Sequence, residues 1–126
     1  MPTGDTRFVV STSRVRRMSP DAPHALFLRH PVKPGKRDEL VEVWRRHMPE
    51  AIEANDGHEA YVYCASHADR DVLVVYQQYR DAAAAQAFLG DPAYLAYLEE
   101  SRDLLAGPPE VEAVEPLWSK AVGPTR

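Results

Sequence analysis

The stretch 34–55, P-G-K-R-D-E-L-V-E-V-W-R-R-H-M-P-E-A-I-E-A-N, constrains this chain more than any other. Leu40, Trp44, His47 and Ala51 step by four, three and four residues, which places them on one stripe of an α-helix. Val41, Val43, Met48 and Ile52 add apolar surface, while Arg37, Glu42, Arg45, Arg46, Glu50 and Glu53 cover the flanks and outer side. Such a helix must lie on another layer to bury its stripe. His47 shares that stripe with Trp44, so the helix is expected to wall any pocket. Pro49 has no N–H for the Arg45 carbonyl four residues back, and a kink or break is expected there.

The rest of the chain supplies the layer. Residues 25–30 read as a strand closed by Pro31 and a Pro34-Gly35 turn. Residues 58–66 read as a second strand and 72–79, rich in β-branched residues, as a central third. Asp81 is positioned as an N-cap before the helix-forming run 82–87. Asp91-Pro92 opens a further helix whose stripe runs through Tyr94, Leu95, Leu98, Arg102 and Leu105, up to Gly107-Pro108-Pro109. Residues 110–115 alternate acidic and apolar side chains, as a strand with one wet face does. The order is βαββαβ, an α+β, ferredoxin-like arrangement with a four-stranded antiparallel sheet and helices on one face. The other face would expose a large apolar patch. A second copy packed sheet to sheet, a homodimer, covers it most simply.

A length of 126 residues suits one domain. Residues 24–119 are expected to form it. Residues 1–23 read as a flexible basic arm, with a short strand at Phe8–Val10 as the alternative and Met18 as an alternative start; residues 120–126 read as a tail. The net charge of −4 argues against nucleic acid as the main partner. No apolar run reaches membrane-spanning length and no signal-peptide pattern opens the chain, so a cytoplasmic location is expected. Cys64 is the one cysteine, which excludes an intrachain disulfide, and its strand position reads as a buried, inert thiol. His67, Asp69 and Asp71 form a polar turn. No His, Cys and carboxylate set has zinc-like spacing, and no glycine-rich phosphate loop is present, so no metal or cofactor is expected.

The runs V-K-P-G-K-R-D-E-L-V-E-V-W, D-G-H-E-A-Y, V-V-Y-Q-Q-Y-R-D, F-L-G-D-P-A-Y and L-L-A-G-P-P-E-V, in that order, resemble the antibiotic biosynthesis monooxygenase family over about residues 25–118. The resemblance implies a dimeric α/β barrel. Relatives include cofactor-free oxygenases of polyketide anthrones and quinols, haem-degrading enzymes and enzymes acting on a phosphorylated signalling sugar. Anthrone-oxidising relatives bring an Asn and a Trp from the third strand and a Tyr from the next helix; Val75, Tyr79 and Ala85 stand there in this chain. Haem-degrading relatives carry a Trp and an iron-binding His where Phe88 and Leu98 stand. Phe88 also occupies the position of a His that many relatives place before the last helix.

Cofactor-free oxygenation needs a substrate that supplies its own electrons, a base, a dry pocket and donors to hold the anion. His47 is the candidate base, or else a core histidine bonded to a carbonyl. His30, at the end of the first strand, is either a second pocket base or a strand-end residue facing water. Tyr79 is the candidate orienting donor, or a core aromatic. By strand alternation Tyr61 and Tyr63 share one face, as do Val75, Gln77 and Tyr79. The resemblance turns the latter toward the helices. Trp44, Tyr61, Tyr63, Val75 and Phe88 are then expected to contact the substrate, with Tyr94 and Tyr97 as packing residues. The expected function is oxidation of a phenolic, quinol or polyketide-type aromatic by molecular oxygen without metal or flavin. The alternative is a non-oxidative member of the fold, an isomerase, a cyclase or a ligand-binding dimer.

Overall fold

The structure, a computed structural model, describes residues 22–120 and the backbone of 123 and 124. The expectations for the basic arm, including Phe8–Val10 and Met18, lie outside the described residues. The elements are β1 (His24–Pro31), α1 (Arg37–Ala54), β2 (His58–Ala65), β3 (Val72–Tyr79), α2 (Ala82–Phe88), α3 (Pro92–Ser101), β4 (Glu110–Val114), β5 (Trp118–Ser119) and β6 (Gly123–Pro124). β1 to β4 form an antiparallel sheet in the order β2-β3-β1-β4, and β5 pairs with β6 in a separate two-stranded ladder. This is the ferredoxin-like α+β sheet with helices on one face. Among the described residues, no helix is long and apolar enough to cross a membrane.

Leu73 and Tyr79 of β3 join Leu40, Val43 and Met48 of α1, Ala84 and Phe88 of α2 and Tyr97 of α3 in one core. The Val75–Tyr79 face therefore looks to the helices; Tyr76 and Gln78 lie behind it. The buried stripe of α1 differs in phase from the expected one. Leu40, Val43 and Met48 are buried and Trp44, Ala51 and Ile52 half-buried, which leaves His47 on the margin. The helix also runs unbroken through Pro49. A proline removes one hydrogen bond, and the packed turns on either side hold the helix across the gap. Asp81 and Asp91 cap as expected: their Oδ1 atoms accept from the N–H groups of Ala84 and Ala93, both at 2.8 Å. α3 stops at Ser101, short of Leu105, and passes into a 3₁₀ turn over Arg102–Leu104.

Two loops are tied to the start of α1. Lys36 N–H donates to the Lys33 carbonyl at 3.0 Å across Pro34-Gly35, and Gly35 takes φ 77°, the arrangement of a type II turn. Gly35 N–H donates to Asp71 Oδ1 at 3.0 Å. Arg37 Nη1 reaches the carbonyls of Ser66, Asp69 and Val72 at 3.0, 3.1 and 3.3 Å. One guanidinium thereby satisfies three carbonyls of the β2–β3 hairpin and fixes the sheet against α1. Cys64 does not take the expected buried place. It is exposed on the outer sheet face, because β2 is an edge strand with no layer over that side of this single chain.

Candidate active site

β2 opens with a β-bulge. Tyr61 faces Gln77 and Ala60 faces Gln78, yet His58, not Glu59, faces Tyr79. Strict alternation would send His58 outward with Ala60 and Val62. The extra residue reverses the two side chains before it. Glu59 goes outward, where its Oε1 accepts from Gln78 Nε2 at 2.7 Å. His58 goes inward, with its ring 4.4 Å from Tyr79, 5.6 Å from Tyr61 and edge-on to Phe88 at 4.6 Å.

Around it the helices and sheet assemble an aromatic cluster. Trp44 of α1 stacks on Tyr63 with centroids 4.1 Å apart and planes 6° apart, and its Nε1–H donates to Tyr61 Oη at 3.3 Å. Tyr94 of α3 lies 5.7 Å from Phe88. Val75, fully buried, faces Tyr63 across the β2–β3 pair. Trp44, His58, Tyr61, Tyr63 and Tyr94 are half-buried, so the cluster reaches the surface along the side of β2.

The polar groups are nearly all committed. Tyr79 Oη donates to Gln77 Oε1 at 2.5 Å, and Asn55 Nδ2 donates to His58 Nδ1 at 2.9 Å. Among the described residues, two buried side-chain polar atoms have no partner, and both are here: His58 Nε2 and Tyr63 Oη. An unpaired buried polar group costs about 1–3 kcal/mol. A ligand atom that met either one would recover that cost. Burial raises the pKa values of Tyr61, Tyr63, Tyr79 and Tyr94, and pushes Tyr97 up to about 12, so the phenols stay protonated. Burial lowers the pKa of His58, with Gln77 and Asp91 pulling more weakly the other way. The site therefore offers neutral groups on an apolar wall.

Trp44, Tyr61, Tyr63, Val75, Tyr79 and Phe88 thus come together, and His30 and His47 do not join them. His47 Nε2 meets Glu100 Oε1 of α3 at 2.6 Å, and Arg46 pairs with the same carboxylate. Hydrogen bonds from His47 and then Arg46 hold the Glu100 carboxyl below its usual range. This pairing lies in the outer seam between α1 and α3. His30 faces Leu73, six residues along β3 from Tyr79, which at about 3.4 Å per residue is roughly 20 Å away. Tyr94 packs on Phe88 and Tyr97 is buried in the core, both as packing residues. Among the described residues, no group of three or more His, Cys, Asp and Glu side chains is placed to hold a metal.

Burial of His30 and His58 has a consequence for stability. Desolvation makes each harder to protonate in the folded chain than in the unfolded one, where a histidine titrates at about 6.5. The unfolded chain then binds more protons below that pH, so stability rises with pH across the window. Urea midpoints are expected to be level above about pH 7 and to fall as the pH drops from 6.5 toward 5. Exchanging both residues for Gln should flatten the fall. A midpoint independent of pH in the parent chain would contradict the burial of these rings.

Residues 23–100 match the family model for the antibiotic biosynthesis monooxygenases. The chain belongs to the antibiotic biosynthesis monooxygenase family. A candidate monooxygenase of this family from Caulobacter crescentus superimposes with TM-score 0.73 at 17% identity, over 82% of this chain and 97% of that chain. A protein of unknown function from Nitrosomonas europaea shares 28% identity and TM-score 0.67, over 81% of this chain and 96% of that one. A protein from Mycobacterium tuberculosis shares 28% identity and TM-score 0.69, over 79% and 99%. No curated protein matches the chain.

Proposed function

We propose that this family member is a cofactor-independent monooxygenase whose substrate is a phenolic, quinol or related polyketide-type aromatic bound against the cluster around His58. The observation that carries the reading is the pair of buried, unpartnered polar atoms, His58 Nε2 and Tyr63 Oη, in a wall of aromatic rings. Such a wall accepts a flat apolar ligand, and each of the two groups can address a polar atom on it. A substrate that has already given its phenolic or enolic proton to solvent binds there as the anion, and the anion so held is electron-rich enough to react with oxygen directly. For a methylene activated by phenolic rings, both C–H bonds are lost. One oxygen atom becomes the new carbonyl and the other leaves as water, with all four electrons supplied by the substrate.

The same two unpartnered groups favour a second reading, a site that binds or isomerises an aromatic ketone without oxidising it. Oxygen uptake with a panel of quinols and anthrones separates the two. Uptake with one oxygen atom recovered in the product supports the first; substrate returned unaltered, with no uptake across the panel, sinks it.

The partner in this proposal is a second copy of the chain. On the outer sheet face Phe27 is 48% and Val62 52% exposed, and Phe27 packs on Tyr76 at 5.0 Å. A groove of about 320 Å³ runs beside Phe27 between β1 and β4. A surface of this kind is costly to leave in water. Light scattering is expected to give twice the 14.2 kDa chain mass. A single-chain mass at tens of micromolar would exclude the dimer.

A further inference from the structure

We propose that Asn55 is a positioning residue that fixes His58 in the tautomer with its proton on Nε2, so that the site presents a hydrogen-bond donor there and selects a ligand oxygen with a free lone pair, a carbonyl or a phenolate. The ligand half of this rests on the proposed binding against the cluster; the tautomer half does not.

Asn55 ends α1 in an extended conformation, and its own N–H donates to the Ile52 carbonyl at 3.1 Å. Its side chain is oriented by backbone. Gly57 N–H donates to Asn55 Oδ1 at 3.3 Å, which turns the carbonyl end of the amide away from the histidine. The NH₂ end is then the group that meets His58 Nδ1, at 2.9 Å. Reversing the amide would set its NH₂ against the Gly57 N–H, donor against donor. With Nδ1 accepting, a neutral imidazole has its proton on Nε2.

The turn that holds this arrangement has little freedom. His58 N–H donates to the Asn55 carbonyl at 3.1 Å, and Arg80 N–H donates to the Gly57 carbonyl at 2.9 Å. A Cβ on Gly57 would stand 2.9 Å from Ala84 Cβ, so α2 rests directly on the turn. The other polar groups around the imidazole are acceptors and so do not oppose a ring N–H: Gln77 Oε1 accepts from Tyr79 and has a second lone pair, and both Gln77 and Asp91 favour the protonated ring. Tyr61 Oη accepts from Trp44, Phe88 is apolar, and Nε2 itself has no partner within hydrogen-bond distance among the described residues. Nε2–H therefore faces the cluster as a donor awaiting an acceptor. A neutral phenol can fill it through its oxygen, but a phenolate or ketone does so with more charge on that oxygen and a stronger bond.

The test is ¹⁵N–¹H correlation of the histidine rings in the ligand-free protein at neutral pH, with the His58 signals assigned by their loss in His58→Phe. The parent chain is expected to show a protonated Nε2 and an unprotonated Nδ1. Asn55→Asp keeps an acceptor for Gly57 N–H but removes the donor to the ring. Its carboxylate takes the Nδ1 proton instead, and the tautomer is expected to reverse. Asn55→Ala should give a mixture. A proton on Nδ1 in the parent chain, or an unchanged pattern in Asn55→Asp, overturns the proposal. Added 1,4-naphthoquinone, whose oxygens only accept, should shift the Nε2–H signal in the parent chain. An unmoved signal overturns the ligand half. None of these measurements needs turnover, so a failure of oxygen uptake and a failure of the tautomer assignment are told apart.

Discussion

His58→Phe is expected to lower kcat/KM for oxygen uptake by about 10²- to 10³-fold, the usual loss when one preorganised donor to a developing anion is removed. Phenylalanine keeps a ring of similar size against Tyr79 and Phe88, so the apolar contacts survive and the polar one goes. The unfolding midpoint should move little, because the substitution also removes an unpartnered buried nitrogen. His58→Gln, with an amide N–H able to donate, should retain more activity than His58→Phe. His47→Ala provides the contrast. It frees Glu100, which still has Arg46, on a half-exposed seam, and turnover should stay within about twofold while stability changes by less than about 1 kcal/mol. The opposite ranking, with His47→Ala inactive and His58→Phe active, would move the chemistry to the α1–α3 seam and end the assignment made here.

That contrast marks where sequence reasoning reached and where it stopped. Asp81 and Asp91 were legible as caps because capping is local: the acceptor and the N–H it meets are two or three residues apart. The Val75–Tyr79 face was legible because β3 is a regular central strand. Trp44, Tyr61, Tyr63 and Phe88 lie on the inner sides of their elements, which strand alternation and helix periodicity carry. His58 was not legible, because alternation assigns it outward and one inserted residue overturns the assignment. Nothing in H-E-A-Y-V-Y marks the bulge. The turn that precedes it packs at Gly57 on Ala84, a contact between residues 27 positions apart that no local pattern carries. The stripe of α1 was misread by a fraction of a turn, because apolar residues at 40, 41, 43, 44, 48, 51 and 52 span a broad arc. Leu40, Trp44, Met48 and Ile52 also step by four, and only the position of α3 decides which line is central.

The same packing makes Phe88 the side chain on which fold and site both depend. Phe88 is 5% exposed and touches the rings of His58, Tyr79 and Tyr94. Phe88→Ala is expected to cost about 3–5 kcal/mol, the transfer loss plus the cavity left behind. That is a large part of the roughly 5–15 kcal/mol available to a domain, so the midpoint should fall by more than about 10 °C. Phe88→Leu refills most of the volume and should cost less than about 1.5 kcal/mol. The pair separates packing from chemistry. If Phe88 only packs, Phe88→Leu keeps its oxygen uptake even though the edge-on contact with His58 is gone. If the ring also orients the imidazole, Phe88→Leu loses turnover with stability nearly intact. A loss below about 1 kcal/mol for Phe88→Ala, measured by urea unfolding at fixed protein concentration because of the proposed dimer, would mean that α2 does not seat on β3 as described. His58 would then lose its wall, since among the described residues the only other rings within reach of its imidazole belong to the sheet itself.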